Sequence, residues 1–286
     1  MQKAFFYAIA SSFAFSVMNL FVKMLGQGMP ASEITFFRGL IGTVAVVGFM
    51  VANRIPFSTE HRGMLVMRGI FGGLGTLLNF VALAYMSMAD ASILFQLSGI
   101  FVFVFSSLVL REALPKGALK WLLVILVAVT VIVKPWSFGS LNWYSLYAVA
   151  GAAFAAAAYT TIRKISQSGH HSPYEIMFYF LFTTALVGGV LMWPNFVIPD
   201  ARQWIYIAII GGISVFAQFF LTGAFIATNA VVAQFLQYIG VFFNTFWGFA
   251  IFNETLSWAT VGAGIIMFLA SVMLARLKEQ HHVASK

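Results

Sequence analysis

The chain has 286 residues, of which 61% are hydrophobic and only 8% are charged. Soluble domains carry about 25% charged residues, so this chain has too few polar side chains to cover a water-facing surface. The excess apolar surface must face lipid, which excludes a soluble protein. The net charge of +8 comes from basic residues in short stretches between apolar runs, which is typical of membrane topology signals and not of nucleic-acid binding. The absence of cysteine excludes disulfides and thiolate chemistry.

Ten apolar runs follow one another, each close to the roughly 20 residues that a helix needs to cross a hydrocarbon core. They cover residues 4–25, 33–53, 64–86, 89–110, 117–134, 143–165, 174–193, 202–227, 228–252 and 258–277. Continuous apolar runs favour helices, because barrel strands alternate and are about 10 residues long. The first run lacks a convincing cleavage site, so we interpret it as a retained span and not as a signal peptide. We expect an all-α integral membrane protein with ten transmembrane helices.

Basic residues are distributed unequally over the two ends of these runs. With the N-terminus inside, twelve of the sixteen Lys and Arg residues, Arg68 among them, fall on the cytoplasmic side. Only Lys23, Arg38, Lys134 and Arg202 fall on the opposite side. This bias predicts a multi-pass membrane protein with both termini in the cytoplasm. As the location we expect the bacterial inner (plasma) membrane.

A short motif recurs half a chain length apart. Gln96-x-x-Gly99 precedes a Phe-rich stretch in the fourth run, and Gln237-x-x-Gly240 does the same in the ninth, at an offset of 141 residues. Similar pairs at fixed spacing indicate duplication of the whole half.

A second pair of motifs has nearly the same offset. Glu33 begins Glu-Ile-Thr-Phe in the second run, and Glu175 begins Glu-Ile-Met-Phe in the seventh, 142 residues later. Each half then holds five spans, an odd number, so the second half must be upside down relative to the first. We expect two inverted five-helix repeats, residues 1–136 and 137–286, an arrangement typical of secondary transporters with a binding site between the halves.

Arg38 lies inside the second run, where a charged side chain costs about 2.5–3.5 kcal/mol on insertion scales. One interpretation is a cationic contact for an anionic or carboxylate-bearing solute. The alternative is that Arg38 reaches the outer interface along its helix or pairs with Glu33. Lys23 ends the first run on the same side, and there we expect the side chain to reach the interface.

Uncharged polar residues within the runs form a second group of candidates. They are Asn19, Asn79, Gln96, Gln218, Gln234, Gln237 and Asn244, with Tyr85, Tyr159 and Tyr238. Such side chains line polar cavities, but they also bond helix to helix at roughly 0.6 kcal/mol on average. For Gln96 and Gln237, which occupy equivalent positions of the repeat, we favour a lining role.

No catalytic pattern is visible in the sequence. All five histidines lie in connectors or in the C-terminal tail, and the Gly-rich stretch from Gly72 to Gly75 lacks the Lys-Ser/Thr of a phosphate-binding loop. We therefore predict no enzymatic activity, no metal and no cofactor. A membrane-embedded lipid-modifying enzyme is the alternative from outside transport, and it would need a His or carboxylate cluster at one interface. Asp90 is interpreted as a cap on the fourth span and not as a proton-coupling group.

Several short motifs carry a family resemblance. They are Glu33-x-x-Phe36-Phe37-Arg38, Arg68-Gly69, Ala82-Leu83-Ala84-Tyr85-Met86, Arg111-Glu112-x-Leu114 and Asn253-Glu254-x-Leu256. With ten spans duplicated as five plus five, they resemble the EamA family of the drug/metabolite transporter superfamily. Many members of that family carry proline in spans 4 and 9, where the nearest match here is Gly99 and Gly240, so the sequence does not predict a shared helix break.

The resemblance implies a secondary carrier with alternating access and a central cavity lined by spans 1, 3, 4, 6, 8 and 9. The predicted substrate-binding residues are Asn19, Asn79, Gln96, Tyr159, Gln218, Gln237, Tyr238, Asn244 and, on span 2 outside that set, Arg38. We expect amino acids or related zwitterions as the small-molecule substrate and export as the direction. S-adenosylmethionine, other nucleotide-like metabolites or organic anions are the alternatives. The expected partners are this substrate and membrane lipids, with no nucleic acid; a coupling proton or counter-solute, and a monomer or homodimer, stay open.

Overall fold

The computed structural model describes residues 2–58, 60–109, 117–133, 143–169, 171–228, 230–255 and 257–284, and within them it is helical, with no β-strand. The helices are α1 (Gln2–Leu25), α2 (Ala31–Ala52), α3 (Arg62–Tyr85), α4 (Met88–Phe95), α5 (Ser98–Val109), α6 (Ala118–Val133), α7 (Tyr144–Ser168), α8 (Pro173–Met192), α9 (Ala201–Ala227), α10 (Ala230–Leu236), α11 (Ile239–Phe252) and α12 (Trp258–Ala284). The motif Arg111-Glu112-x-Leu114, together with Lys134 and Leu256, lies outside the described residues.

Eight described segments are long and apolar enough to cross a membrane. They are α1, α2, α3, the α4–α5 segment, α7, α8 with the turn after it, α9 and the α10–α11 segment. α6 and α12 contain shorter apolar stretches, Leu119–Ala128 and Trp258–Ala270. The protein is therefore an all-α, multi-pass membrane protein, as predicted, and most helix ends agree with the predicted runs to within a few residues.

Two spans that the sequence presents as continuous are broken near their middles, between α4 and α5 and between α10 and α11. Each break lies at one of the repeated Gln-x-x-Gly motifs. The N–H of Gly99 bonds to the carbonyl of Gln96 at 2.9 Å, and that of Gly240 to the carbonyl of Gln237 at 3.0 Å. These bonds span three residues, one fewer than in an α-helix, and so tighten the backbone locally.

The two breaks are bonded to each other. The Tyr238 hydroxyl donates to the carbonyl of Gln96 at 2.9 Å, and the Gln96 Nε2 donates to the carbonyl of Gln237 at 3.1 Å. Each of these carbonyls also accepts from the N–H of its own glycine, so each break supplies the other with a second donor for a backbone carbonyl that lipid cannot satisfy. No proline occurs at either break, which excludes a proline kink as the cause.

The helices pack mainly in five pairs, α1 with α9, α3 with α7, α2 with α8, α3 with α8, and α6 with α12. Glycine permits the closest of these approaches. A Cβ atom at Gly39 of α2 would lie 2.8 Å from the Cα of Ala185, and one at Gly188 of α8 would lie 2.8 Å from the Cα of Phe36. On α3, a Cβ at Gly75 would lie 2.9 Å from the backbone of α7, so small residues permit that close approach as well.

The repeated glutamates fix the ends of α2 and α8. Glu33 is fully buried near the start of α2, and its Oε2 accepts from the N–H of Val197, in the loop after α8, at 3.0 Å. Glu175, near the start of α8, accepts from the N–H of Ser58, in the loop after α2, also at 3.0 Å. Each glutamate therefore holds the loop that follows the partner helix. The alternative in which Glu33 pairs with Arg38 is wrong, because Glu33 is bonded to this loop.

Lys23 forms an ion pair that the sequence does not predict. Its Nζ lies 2.5 Å from Oε1 of Glu254 and 2.5 Å from the carbonyl of Met86. The other carboxylate oxygen of Glu254 accepts from the N–H of Met88 at 2.8 Å. The two charged side chains are only 12% and 17% exposed. This contact joins the ends of α1, α3 and α11 to the start of α4.

Asp90 does not cap α4. The Ser87 hydroxyl does, because it accepts from the N–H of Asp90 at 3.0 Å. The Asp90 carboxylate instead accepts from the Thr260 hydroxyl on α12 at 2.8 Å. The predicted cap is therefore assigned to the wrong residue, and Asp90 links α4 to α12.

Candidate functional site

A polar cavity of about 120 Å³ lies at the centre of the helices, beside the two crossed breaks. Its polar lining comes from residues on eight helices: Ser12, Asn19, Arg38, Arg68, Thr76, Asn79, Ser92, Gln96, Tyr159, Gln218, Gln234, Gln237 and Asn244. Phe80, Phe95 and Phe180 are among its apolar walls. The predicted spans all contribute, and α2 and α8 contribute as well, through Arg38 and Phe180.

Arg38 and Arg68 bring two positive charges into this cavity. They are 2% and 1% exposed. Both lie against the ring of Phe180, with their Cζ atoms 5.3 Å and 4.4 Å from its centroid. Arg38 is also 5.7 Å from the ring of Phe80 and donates to the Thr76 hydroxyl at 3.3 Å. The structure therefore places Arg38 in the cavity and not at the outer interface.

The two guanidinium groups have few partners. Among the described residues, none of the ion pairs involves Arg38 or Arg68, and no acidic side chain lines the cavity. Nε of Arg38, and Nε and Nη1 of Arg68, are buried without a hydrogen-bond acceptor. A buried arginine costs about 2.5–3.5 kcal/mol on insertion scales, and a desolvated cation–π contact returns about 2 kcal/mol. A bound anion would offset the remaining cost, so this pair is chemically suited to bind one.

Sequence reasoning missed Arg68, which the positive-inside count places on the cytoplasmic side. That assignment is wrong, because Arg68 lies in α3 with its side chain against Phe180. The signal was available: Arg68 lies inside the third apolar run, just as Arg38 lies inside the second. Gly72, one turn further along α3, makes the room for it. A Cβ there would collide with Nη1 of Arg68 and lie 2.6 Å from the Phe180 ring.

Gln237 connects the second break to α1. Its Nε2 donates to the Ser11 hydroxyl at 2.7 Å, and its Oε1 accepts from the Ser12 hydroxyl at 2.7 Å. Both bonds require one orientation of the Gln237 side-chain amide, with Nε2 towards Ser11 and Oε1 towards Ser12. Gln237 therefore both lines the cavity and bonds one helix to another.

Gln96 connects the first break to the second. Besides its bond to the carbonyl of Gln237, its Oε1 accepts from Nε2 of Gln234 at 3.1 Å, and the same nitrogen donates to the Ser98 hydroxyl at 2.8 Å. Gln234 was among the candidate amides but not among the predicted site residues. Its Oε1 is buried and has no hydrogen-bond partner, and the residue lines the cavity.

The other predicted residues are spread around the same space. Asn19 donates to Oδ1 of Asn244 at 3.2 Å, and its own Oδ1 is buried without a partner. Gln218 donates to a hydroxyl of its own helix, α9, at 3.3 Å. Tyr159 stacks on a phenylalanine of α9 at 4.8 Å, and Asn79 completes the α3 wall.

Eight of the nine predicted site residues line the cavity, and Tyr238 does not. Tyr238 is 4% exposed, and its hydroxyl is taken up by the carbonyl of the opposite break. It supports the site from behind. Tyr85, a candidate in the wider group, is 60% exposed and stacks on Tyr144.

Comparison with known proteins identifies the family. The model of the EamA-like transporter family matches residues 2–134 and 142–276. This chain belongs to that family. The EamA-like transporter is 40% identical to the pseudopaline exporter CntI of Pseudomonas aeruginosa (strain UCBPP-PA14) over 276 residues, 95% of each chain.

More distant relatives are transporters as well. Human solute carrier family 35 member G1 is 26% identical, over 93% of this chain and 77% of that protein. A riboflavin transporter of Brucella anthropi is 24% identical, over 94% and 96%. A solved crystal structure superimposes with a TM-score of 0.67 at 17% identity, over 96% of this chain and 98% of the other, which shows the same fold. The EamA-like transporter is thus a membrane transporter of small molecules, as its family and relatives are.

Proposed function

We propose that the EamA-like transporter is an alternating-access secondary carrier of ten transmembrane helices in two inverted halves, residues 1–136 and 137–286. The two matches to the family model support this division. The packing supports it as well. In the two-half arrangement α7 is the counterpart of α1 and α3 is the counterpart of α9, so the contact of α1 with α9 corresponds to the contact of α7 with α3. The charge bias supports both termini in the cytoplasm, and the similarity to a Pseudomonas exporter supports the bacterial inner membrane as the location.

The equivalence extends to individual contacts. The Lys23 ammonium donates to the carbonyl of Met86, and Nη1 of Arg163 donates to the carbonyl of Ile226 at 3.2 Å, with 63 residues between donor and acceptor in both cases. A two-half structure with matching contacts suits a carrier that opens to either side in turn.

The substrate that the geometry supports best is a small metabolite with a carboxylate, and amino acids or related zwitterions are the favoured class. The observation that carries this is the pair of buried guanidinium groups, Arg38 and Arg68, without an acidic partner among the described residues. Arginine binds carboxylates through two parallel hydrogen bonds, and the surrounding amides accept or donate to the rest of the molecule. The 40% identity to an exporter supports export as the direction.

Reconstitution tests this proposal. We expect proteoliposomes with the purified protein to show saturable flux for carboxylate-bearing members of a panel of labelled amino acids, dicarboxylates and nucleosides. Arg38→Met and Arg68→Met should each lower kcat/KM by about 10- to 100-fold, because each removes a charged hydrogen-bond donor. Arg202→Met, on the exposed start of α9, is the matched control and should have no effect. A folded protein without saturable flux for any member of the panel would contradict the carrier.

A nucleotide-like metabolite or another organic anion is the second candidate, because the same guanidinium chemistry binds phosphate. The two positive charges of the cavity disfavour a cationic solute, including S-adenosylmethionine with its sulfonium. A lipid-modifying enzyme finds no support in the family, whose members matched here are transporters.

A further inference from the structure

We infer that the solute of this carrier presents two acidic groups, one to Arg38 and one to Arg68, so that, within the carboxylate-bearing metabolites and amino acids of the proposed function, the substrate is one with a second acidic group. This inference rests on the proposed function and narrows it.

The cavity has two positive charges in its lining. Two guanidinium groups line it, and no acidic side chain does among the described residues. The acidic groups nearest to these two arginines along the chain are used elsewhere: Glu33 accepts from the loop after α8 through its Oε2, and Glu60 lies on the exposed surface beside His61. A zwitterion with one carboxylate and one ammonium adds no net charge, so it would leave both positive charges in a desolvated space. Two carboxylates neutralise the pair.

Both arginines have buried N–H groups without a hydrogen-bond acceptor, Nε on Arg38 and Nε and Nη1 on Arg68. A single carboxylate held by one guanidinium in the bidentate geometry would leave the donors of the other one unpaired. One acidic group per arginine satisfies both sets.

The ring of Phe180 lies close to both arginines. Both guanidinium carbons lie within 5.3 Å of its centroid, so both are within reach of one metabolite-sized molecule. The Phe180 ring lies against the two cations and lines the cavity. The absence of a side chain at Gly72 leaves the space in which Arg68 can lie against this ring. Asn79, which lines the same cavity, is uncharged and suits the neutral part of the solute.

A stability measurement tests whether the two charges are kept for a ligand. Purified Arg38→Met and Arg68→Met variants should unfold at a higher temperature than the wild type without solute, because a flexible apolar side chain replaces an uncompensated buried charge. The Arg202→Met control removes only an exposed hydrogen bond and a ring contact with Tyr206, so it should lower the unfolding temperature slightly and not raise it. A lower temperature in both arginine variants, or their failure to fold, would show that the guanidinium groups hold the structure and would overturn the inference.

Three five-carbon probes then count the acidic groups. Glutarate has two carboxylates, 5-aminopentanoate has one carboxylate and one ammonium, and pentane-1,5-diamine has two ammonium groups. We expect glutarate to raise the unfolding temperature of the wild type and to bind about 10- to 100-fold more tightly than 5-aminopentanoate, with no effect of the diamine. Each Arg→Met variant should reduce glutarate to the affinity of 5-aminopentanoate.

The outcomes separate this inference from the proposed function. An equal response of the wild type to glutarate and 5-aminopentanoate, including no response to either, would overturn the two-acid assignment. Flux of amino acids with one carboxylate in proteoliposomes would then still support a carrier. The absence of flux for every solute would instead remove the carrier itself.

Discussion

The ion pair of Lys23 and Glu254 offers a quantitative test of how the ends of four helices are held together. Lys23→Met removes the ammonium and leaves the Glu254 carboxylate and the carbonyl of Met86 without it. Loss of one partner costs about 3–5 kcal/mol for a fully buried pair and about 0.2–1 kcal/mol for an exposed one. At 12% and 17% exposure, this pair lies nearer the buried limit, but residual solvent screens it. We expect a loss of about 2–3 kcal/mol in the free energy of unfolding.

Glu254→Gln should cost less, about 1–2 kcal/mol, because the amide oxygen still accepts from the N–H of Met88. The double variant Lys23→Met/Glu254→Gln should then be more stable than the sum of the single losses predicts, with a coupling energy of about 1–2 kcal/mol. Equilibrium unfolding in mixed micelles, followed by tryptophan fluorescence, measures all three values.

Lys164→Met is the matched control, because Lys164 is exposed on α7. Its effect should stay within about 0.5 kcal/mol. A coupling energy below that value, with Lys23→Met no more damaging than the control, would refute the ion pair and would support the interpretation of Lys23 as a lysine that reaches the interface.

Two further predictions concern close packing and the helix breaks. Gly39→Ala should lower the free energy of unfolding by about 1–3 kcal/mol, because the added Cβ would meet the backbone of α8. The control is Gly48→Ala on the same helix, where a Cβ would have no atom within 4 Å, and it should be neutral or stabilising in the same unfolding assay. Equal effects of the two substitutions would contradict the close approach of α2 and α8. Gln96→Ala and Gln237→Ala should both reduce flux in proteoliposomes, since each residue lines the cavity and holds a break; normal kinetics in both variants would assign them to helix contact alone.

The positions of the helices follow from hydropathy, because each span has to present a long apolar stretch to lipid. The sequence could therefore predict the helical runs and most polar residues of the cavity. The breaks between α4 and α5 and between α10 and α11 could not be predicted from the sequence. Their bonds join residues such as Gln96 and Tyr238, which are 142 positions apart, and no proline or charge marks the sites.

Charged residues were the least predictable part. Lys23 and Glu254 lie near opposite ends of the chain, so neither residue by itself indicates the pairing. Arg68 was assigned by its distance from a helix end, whereas its environment depends on Phe180 of α8 and on the space beside Gly72. Side-chain direction across a helix contact decides such cases, and hydropathy does not record it.

The crossed helix breaks have a consequence for the order of folding. The Gln96 carbonyl of the first break accepts from the N–H of Gly99 and also from the Tyr238 hydroxyl, yet Tyr238 is synthesised 142 residues later. Until then, a straight α-helix is the conformation that satisfies the backbone of the α4–α5 segment in lipid. We therefore expect that segment to enter the membrane as one unbroken helix. It would bend only when α10 and α11 arrive, so that the polar centre of the protein is completed as a late event of assembly, after all its walls are in the bilayer.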